Sequence, residues 1–112
     1  MNYKQLFRRY LSSLLLIGVA ATLMSFTVVI DAGHGGFDPG KVGINGALEK
    51  DINLSIALFV KQFLEANDVS VVLTRETDDG LYDADASNKK VQDMKRRVNI
   101  IDEKEPQVTV SI

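Results

Sequence analysis

The chain has 112 residues, 46% hydrophobic and 25% charged, with a formal net charge of −2. That length holds one domain at most, and the composition excludes both a disordered chain and a basic nucleic-acid binder. There is no cysteine, so a disulfide framework and a thiolate zinc site are excluded, and any metal must be held by nitrogen and oxygen.

The charge is unevenly spread: residues 1–26 carry +3 from Lys4, Arg8 and Arg9 with no acid, which leaves −5 for the remainder. Behind the cations runs LSSLLLIGVAATLMSF, 16 residues and shorter than the roughly 20 of a membrane span. A cationic start followed by a short apolar run predicts an export signal over residues 1–26, with Gly18, Val19 and Ala20 as small residues near a cleavage point. If uncleaved, the same segment would be an amino-terminal membrane anchor; the competing reading is a buried core helix.

Thr27 to Asp31 is an apolar, β-branched run, predicted to be a first strand buried on both faces at the centre of a sheet. The following AGHGGFDPGKVGINGALEK has six glycines and one proline in 19 residues, which predicts a loop with several positive φ angles. From Asp51 the period becomes helical, with Ile52, Ile56, Phe59, Val60, Phe63 and Leu64 expected on one buried face. Asp51 is expected to cap that helix and Asn67-Asp68 to end it.

Val69 to Thr74 is a second strand, and a helix between two strands predicts a βαβ unit with parallel strands and a right-handed crossover. The loop after it carries Glu76, Asp78, Asp79, Asp83 and Asp85; their spacing matches no EF-hand, and a solvated loop is the expectation. A second helix is predicted from about Asn88 to Asp102, burying Val91, Met94, Val98 and Ile101 ahead of Pro106. QVTVSI is a third strand. The predicted architecture is a three-layer α/β/α domain on a mostly parallel sheet, cut short after that strand. An open third strand exposes an unpaired edge and apolar faces, so instability or aggregation in isolation is expected.

His34 is the only histidine, three residues past the carboxyl end of a predicted central strand, where open α/β sheets gather their ligands. Gly33, Gly35 and Gly36 are expected to keep the approach to its imidazole clear. A core histidine is the bland alternative. A phosphate-binding turn is a competing reading, but the third glycine of G-x-G-x-x-G is misplaced, Lys41 is not followed by Ser or Thr, and no helix opens at the loop. Glu49, within ALEKD at the delayed helix start, is either a first-turn acid favoured by the helix dipole or a second, oxygen ligand beside His34.

IDAGHGGFDPG, LEKDINLSIAL, VVLTRETD, QDMKRRVNI and the terminal VTVSI, in that order, resemble the amino-terminal half of the zinc-dependent N-acetylmuramoyl-L-alanine amidases. Within that family the chain most resembles the germination-specific spore-cortex amidases. The resemblance covers about Val28 to Ile112 and implies hydrolysis of the amide between N-acetylmuramic acid and L-alanine in peptidoglycan. It implies zinc, with His34 as first ligand and Glu49 as second. Arg75 and Arg97 match family positions and are read as supports of the sheet edge or of helix packing. The third ligand, a histidine directly after a strand like VTVSI, and a catalytic glutamate would both follow Ile112, so no catalytic residue is assigned within the chain. The resemblance further implies an exported protein of the cell envelope or spore cortex. Its partner is peptidoglycan rather than nucleic acid; it contacts the membrane only if the leader stays, and a regulatory protein partner is left open. The alternative reading is a catalytically inactive truncated fragment, which sequencing past the codon for Ile112 would test.

Overall fold

The computed structural model describes residues 2–11 and 25–112. Residues 3–11 are helical; the apolar part of the expected leader, residues 12–24, lies outside the described residues. Among the described residues no helix is long and apolar enough to cross a membrane.

The elements run β1 (Thr27–Asp31), α1 (Glu49–Glu65), β2 (Ser70–Leu73), α2 (Lys89–Lys104) and β3 (Val108–Ser111). The strands form one sheet in the order β2-β1-β3. Both pairings are parallel: Val28 is level with Val71 and Val108, and Ile30 with Leu73 and Val110. As the sequence led one to expect, β1 is central, and Val28, Val29 and Ile30 are all buried.

Alternation along β1 separates two faces. Val28, Ile30 and Ala32 join Val71, Leu73 and Ala57 of α1 in one apolar cluster, with Val60, Leu64 and Val69 packed against it. Asp31 points to the other face and meets Arg97 of α2 at 2.8 Å. The helices thus lie on opposite faces of the sheet, as a three-layer α/β/α arrangement requires. β3 forms an edge whose four residues are exposed.

The helix faces depart from expectation. In α1, Val60 and Leu64 do pack inward, but Ile52, Ile56, Phe59 and Phe63 are exposed, Phe59 by 71%. The line that meets the sheet runs through Lys50, Asn53 and Ala57, about a quarter turn from the apolar stripe. Polar contacts set this rotation: Lys50 Nζ donates to Gly36 O at 3.0 Å and to Asp78 Oδ2 at 2.8 Å, and Asn53 Nδ2 to Gly33 O at 3.3 Å. Ala57, without a bulky side chain, lets the helix lie close on the strands. In α2 the buried residue is Arg97, whereas Val91, Met94 and Val98 are about half exposed and Ile101 is half-buried. The ionic pull of Asp31 on Arg97 turns this helix too.

Helix ends shift for local reasons. α1 starts two residues before Asp51, with Leu48 as an N-cap that makes no side-chain bond; Asp51 is therefore a first-turn acid, favourable to the dipole. At the other end Asp68, rather than Asn67, takes the left-handed conformation with φ 61°, while Asn67 Nδ2 donates to Phe63 O at 2.8 Å. Asn88 caps α2 by accepting from Val91 N–H at 3.1 Å.

Burial makes a contrast that urea unfolding can measure. Ile30→Ala, at a fully buried site, should cost about 2–5 kcal/mol. Phe59→Ala, on the exposed stripe, should stay within about 0.5 kcal/mol. Equal losses would mean that α1 sits in a different rotation.

Candidate metal centre

His34 lies just past the carboxyl end of β1, with φ 63°. The loop then closes a tight turn: Gly35 N donates to Asp38 O at 3.0 Å, and Asp38 N to Gly35 O at 3.1 Å. This brings Asp38 under the imidazole, with His34 Nδ1 3.0 Å from Asp38 Oδ2. That hydrogen bond, against the opposing effect of burial, holds the Asp38 carboxyl down at about 2. A carboxylate at neutral pH only accepts, so Nδ1 carries the hydrogen, and in the neutral ring the lone pair falls on Nε2. Asp38 is fixed in turn by Gly40 N–H at 3.1 Å and by Lys90 Nζ at 3.2 Å.

Nε2 faces Glu49. The chain returns after the long loop to start α1, and there Glu49 Oε2 stands 3.5 Å from His34 Nε2. Backbone contacts seat this residue: Glu49 N donates to Lys41 O at 3.0 Å, and Lys41 N donates back to Glu49 Oε2 at 2.6 Å. The structure therefore brings the two residues singled out in the sequence together at one sheet edge. Both side chains are partly open to solvent, and His34 also lines a groove of about 310 Å³ together with Asp31, Asp38, Lys90, Met94 and Ile112. Among the described residues no group of three or more His, Cys, Asp or Glu side chains converges in a metal-binding arrangement.

The glycines do not play the part expected of them. A Cβ on Gly33 would lie 2.7 Å from Ile112 O, on Gly35 3.1 Å from the Arg75 side chain, and on Gly36 against the Tyr82 hydroxyl. These three admit neighbouring structure rather than a ligand. The glycine that makes room at the site is Gly40, with φ +65°, where a Cβ would lie 2.6 Å from Glu49 Oε2 and 2.7 Å from His34 Cδ2.

Asp38 and Gly40 escaped the reading of the sequence. The four-residue step from His34 to Asp38 was the available signal, but it forms a pair only because the Gly35–Asp38 turn folds back. Arg75 and Arg97 are almost fully buried, 4% and 3% exposed, beneath the loop, and Arg97 also holds α2 to the sheet through Asp31. In the acidic loop, Asp78 pairs with Lys50 at 2.8 Å and Asp83 with Arg96 at 2.9 Å.

A parallel α/β sheet that sets an imidazole and a carboxylate side by side past its strand ends defines a class: an open-sheet protein with a candidate metal-assisted site at the usual edge. The family model for N-acetylmuramoyl-L-alanine amidase matches residues 28–112. The chain belongs to that family.

Its relatives agree. The germination-specific N-acetylmuramoyl-L-alanine amidase of Bacillus subtilis is 36% identical over 88 residues, covering 76% of this chain and 37% of that protein. The CwlD amidase of Clostridioides difficile, solved in complex with the GerS lipoprotein, matches at a TM-score of 0.73 and 37% identity, over 78% of this chain and 47% of that one. The catalytic domain of CwlV, an N-acetylmuramoyl-L-alanine amidase of Bacillus (Paenibacillus) polymyxa var. colistinus, matches at 0.64 and 39% identity, over 79% and 44%. The chain thus spans less than half the length of each of these relatives.

Proposed function

We propose that the chain carries the amino-terminal part of the active site of a zinc-dependent N-acetylmuramoyl-L-alanine amidase, with His34 and Glu49 as two of the metal's protein ligands. The observation that carries this reading is the 3.5 Å between His34 Nε2 and Glu49 Oε2. Nitrogen and oxygen ligands about 2.0–2.1 Å from a tetrahedral zinc lie roughly 3.3 Å apart, so one ion fits between these two atoms with little movement. The donor chemistry fits as well, because Asp38 occupies Nδ1 and leaves Nε2 to bind, a common arrangement for metal-bound histidine.

A zinc ion so held would polarise the scissile carbonyl and acidify a water for attack on it. The residues of this chain prepare that chemistry: Asp38 fixes the imidazole's tautomer and tilt, while Lys41 N–H and the space over Gly40 orient the Glu49 carboxylate. Two protein ligands are one fewer than a catalytic zinc site normally has. The resemblance assigns the third ligand and the catalytic glutamate to sequence following VTVSI, so cleavage is proposed for the protein that supplies them. The chain alone is proposed to bind the metal weakly and to leave the amide intact.

The substrate proposed is peptidoglycan, and the setting is the cell envelope or spore cortex after export. The cationic start and short apolar run of residues 1–26 support export, with membrane attachment if that segment is retained. A protein partner is also proposed, since the C. difficile relative was solved with a lipoprotein bound.

Digestion of purified peptidoglycan tests the activity by counting newly exposed L-alanine α-amino groups. The chain alone should release none. Joined to the carboxyl-terminal remainder of the B. subtilis germination-specific amidase, it should release them, and added chelator should stop the release. Release of reducing sugar ends instead would identify a glycosidase and refute the proposal, as would release indifferent to chelator.

A further inference from the structure

Five consecutive carbonyls follow β1, from Ala32 to Gly36, and each has a donor. Ala32 O accepts from Arg75 Nε at 2.9 Å and from Arg97 Nη1 at 2.7 Å. Gly33 O accepts from Arg75 Nη2 at 3.0 Å, His34 O from Arg97 Nη2 at 2.6 Å, and Gly36 O from Lys50 Nζ at 3.0 Å. Gly35 O is taken within the loop's own turn. Three buried cations, from the end of β2, from α2 and from α1, thus clamp the segment in which His34 stands.

This is more than a strand end requires. Among the described residues Arg75 bonds to backbone carbonyls alone, those of Ala32, Gly33, Lys50 and Thr77. Burial, with the Arg97 charge beside it, pushes the Arg75 pKa down, and a buried charge without a carboxylate partner is costly. Arg97 is better compensated: Nη1 reaches Asp31 Oδ1 at 2.8 Å, and Nε reaches Asp93 Oδ2 at 2.7 Å. Its planar fork ties the His34 carbonyl to β1 and α2 together, which a single ammonium could not reproduce. What the clamp holds is a non-glycine residue at φ 63°, a conformation that persists only where its surroundings over-determine it.

We infer that Arg97, supported by Arg75, is a positioning residue that sets the His34 imidazole against Glu49 through the backbone carbonyls of Ala32 and His34. The inference rests on the metal-site reading for its function, but its geometry can be tested without metal. His34 is the only histidine, so its ring resonances in a ¹H–¹⁵N spectrum of the full 112-residue chain report one site. In Arg97→Lys the metal-free ring nitrogen shifts should move, and zinc affinity, measured by competition with a chelating dye, should fall at least tenfold while a cooperative melt remains. Arg96→Lys, on the same helix but paired with Asp83, should change neither.

Asp93→Asn provides a second route, because Asp93 orients Arg97 without touching the loop's carbonyls; it should move the same resonances and lower affinity by a smaller factor. If one variant does not fold, the other decides, and Arg75→Lys replaces both if neither folds. Unchanged ring shifts together with zinc affinity within twofold of wild type, in any folded member of the set, would overturn the inference. If the wild type takes up no zinc, the proposed metal site fails, and the ring shifts of the metal-free variants still decide whether Arg97 positions His34.

Discussion

Alanine at position 34 should abolish the zinc-dependent rise in melting temperature of this chain, and alanine at position 49 should do the same. A ligand that binds only the folded state stabilises it by about 2.7 kcal/mol at a hundred times its dissociation constant, which shifts the melt of a domain this size by several degrees. His34 Nε2 and Glu49 Oε2, 3.5 Å apart, are the nitrogen and oxygen proposed to share an ion, so loss of either would leave a single protein ligand. Without zinc, both variants should melt near the wild type, because both side chains are partly exposed and neither belongs to the apolar cluster. Thermal melts with and without zinc, and with chelator, provide the comparison. A zinc-dependent rise that survives both substitutions would place the ion elsewhere.

The second large effect is expected at Gly40. Its φ is +65°, and a Cβ there would come within 2.8 Å of both His34 and Glu49 side-chain atoms. Gly40→Ala therefore adds two penalties: about 1–2 kcal/mol for an L-residue in the left-handed region, and a contact relieved only by separating the two proposed ligands. Gly46 separates these contributions. It also has a positive φ, +81°, but a Cβ there meets nothing within 4 Å. Gly46→Ala should lower stability by about the backbone penalty and leave zinc affinity alone, whereas Gly40→Ala should lower affinity at least tenfold, a difference of about 1.4 kcal/mol. Chelator competition on the two variants, alongside their melts, measures both quantities. Equal zinc affinities would show that Gly40 does not shape the site.

Strands were legible in the sequence because a buried parallel strand needs an unbroken apolar, β-branched run. TVVID presents one at the centre of the sheet, and VSVVLT and QVTVSI, β-branched runs interrupted by polar residues, pair with it in parallel from either side. The existence of both helices was legible from their 3.6-residue period. Their rotation was not. Hydrophobic periodicity predicted Ile52, Ile56, Phe59 and Phe63 inside, yet the helix turns so that Lys50 and Asn53 reach the carbonyls of Gly36 and Gly33. Similarly Arg97, a charge in the middle of an amphipathic pattern, faces the sheet because Asp31 and Asp93 meet it there. In this rotation the Gly33 and Gly36 carbonyls and the buried Arg97 guanidinium all have partners, as buried polar groups require.

By itself, then, the sequence determined the order of elements, the parallel sheet, and the placement of a lone histidine past a strand end with an acid at the next helix start. These follow from local preferences and the short reach of the chain, which no distant contact needs to inform. Only the tertiary structure decided that His34 and Glu49 face one another, that Asp38 takes the far ring nitrogen, that Gly40 leaves the space between them, and that two buried arginines clamp the loop beneath. Each of those depends on atoms far apart in the chain meeting within hydrogen-bond distance, and the satisfaction of buried charge and backbone carbonyls in three dimensions has no periodic trace along the sequence.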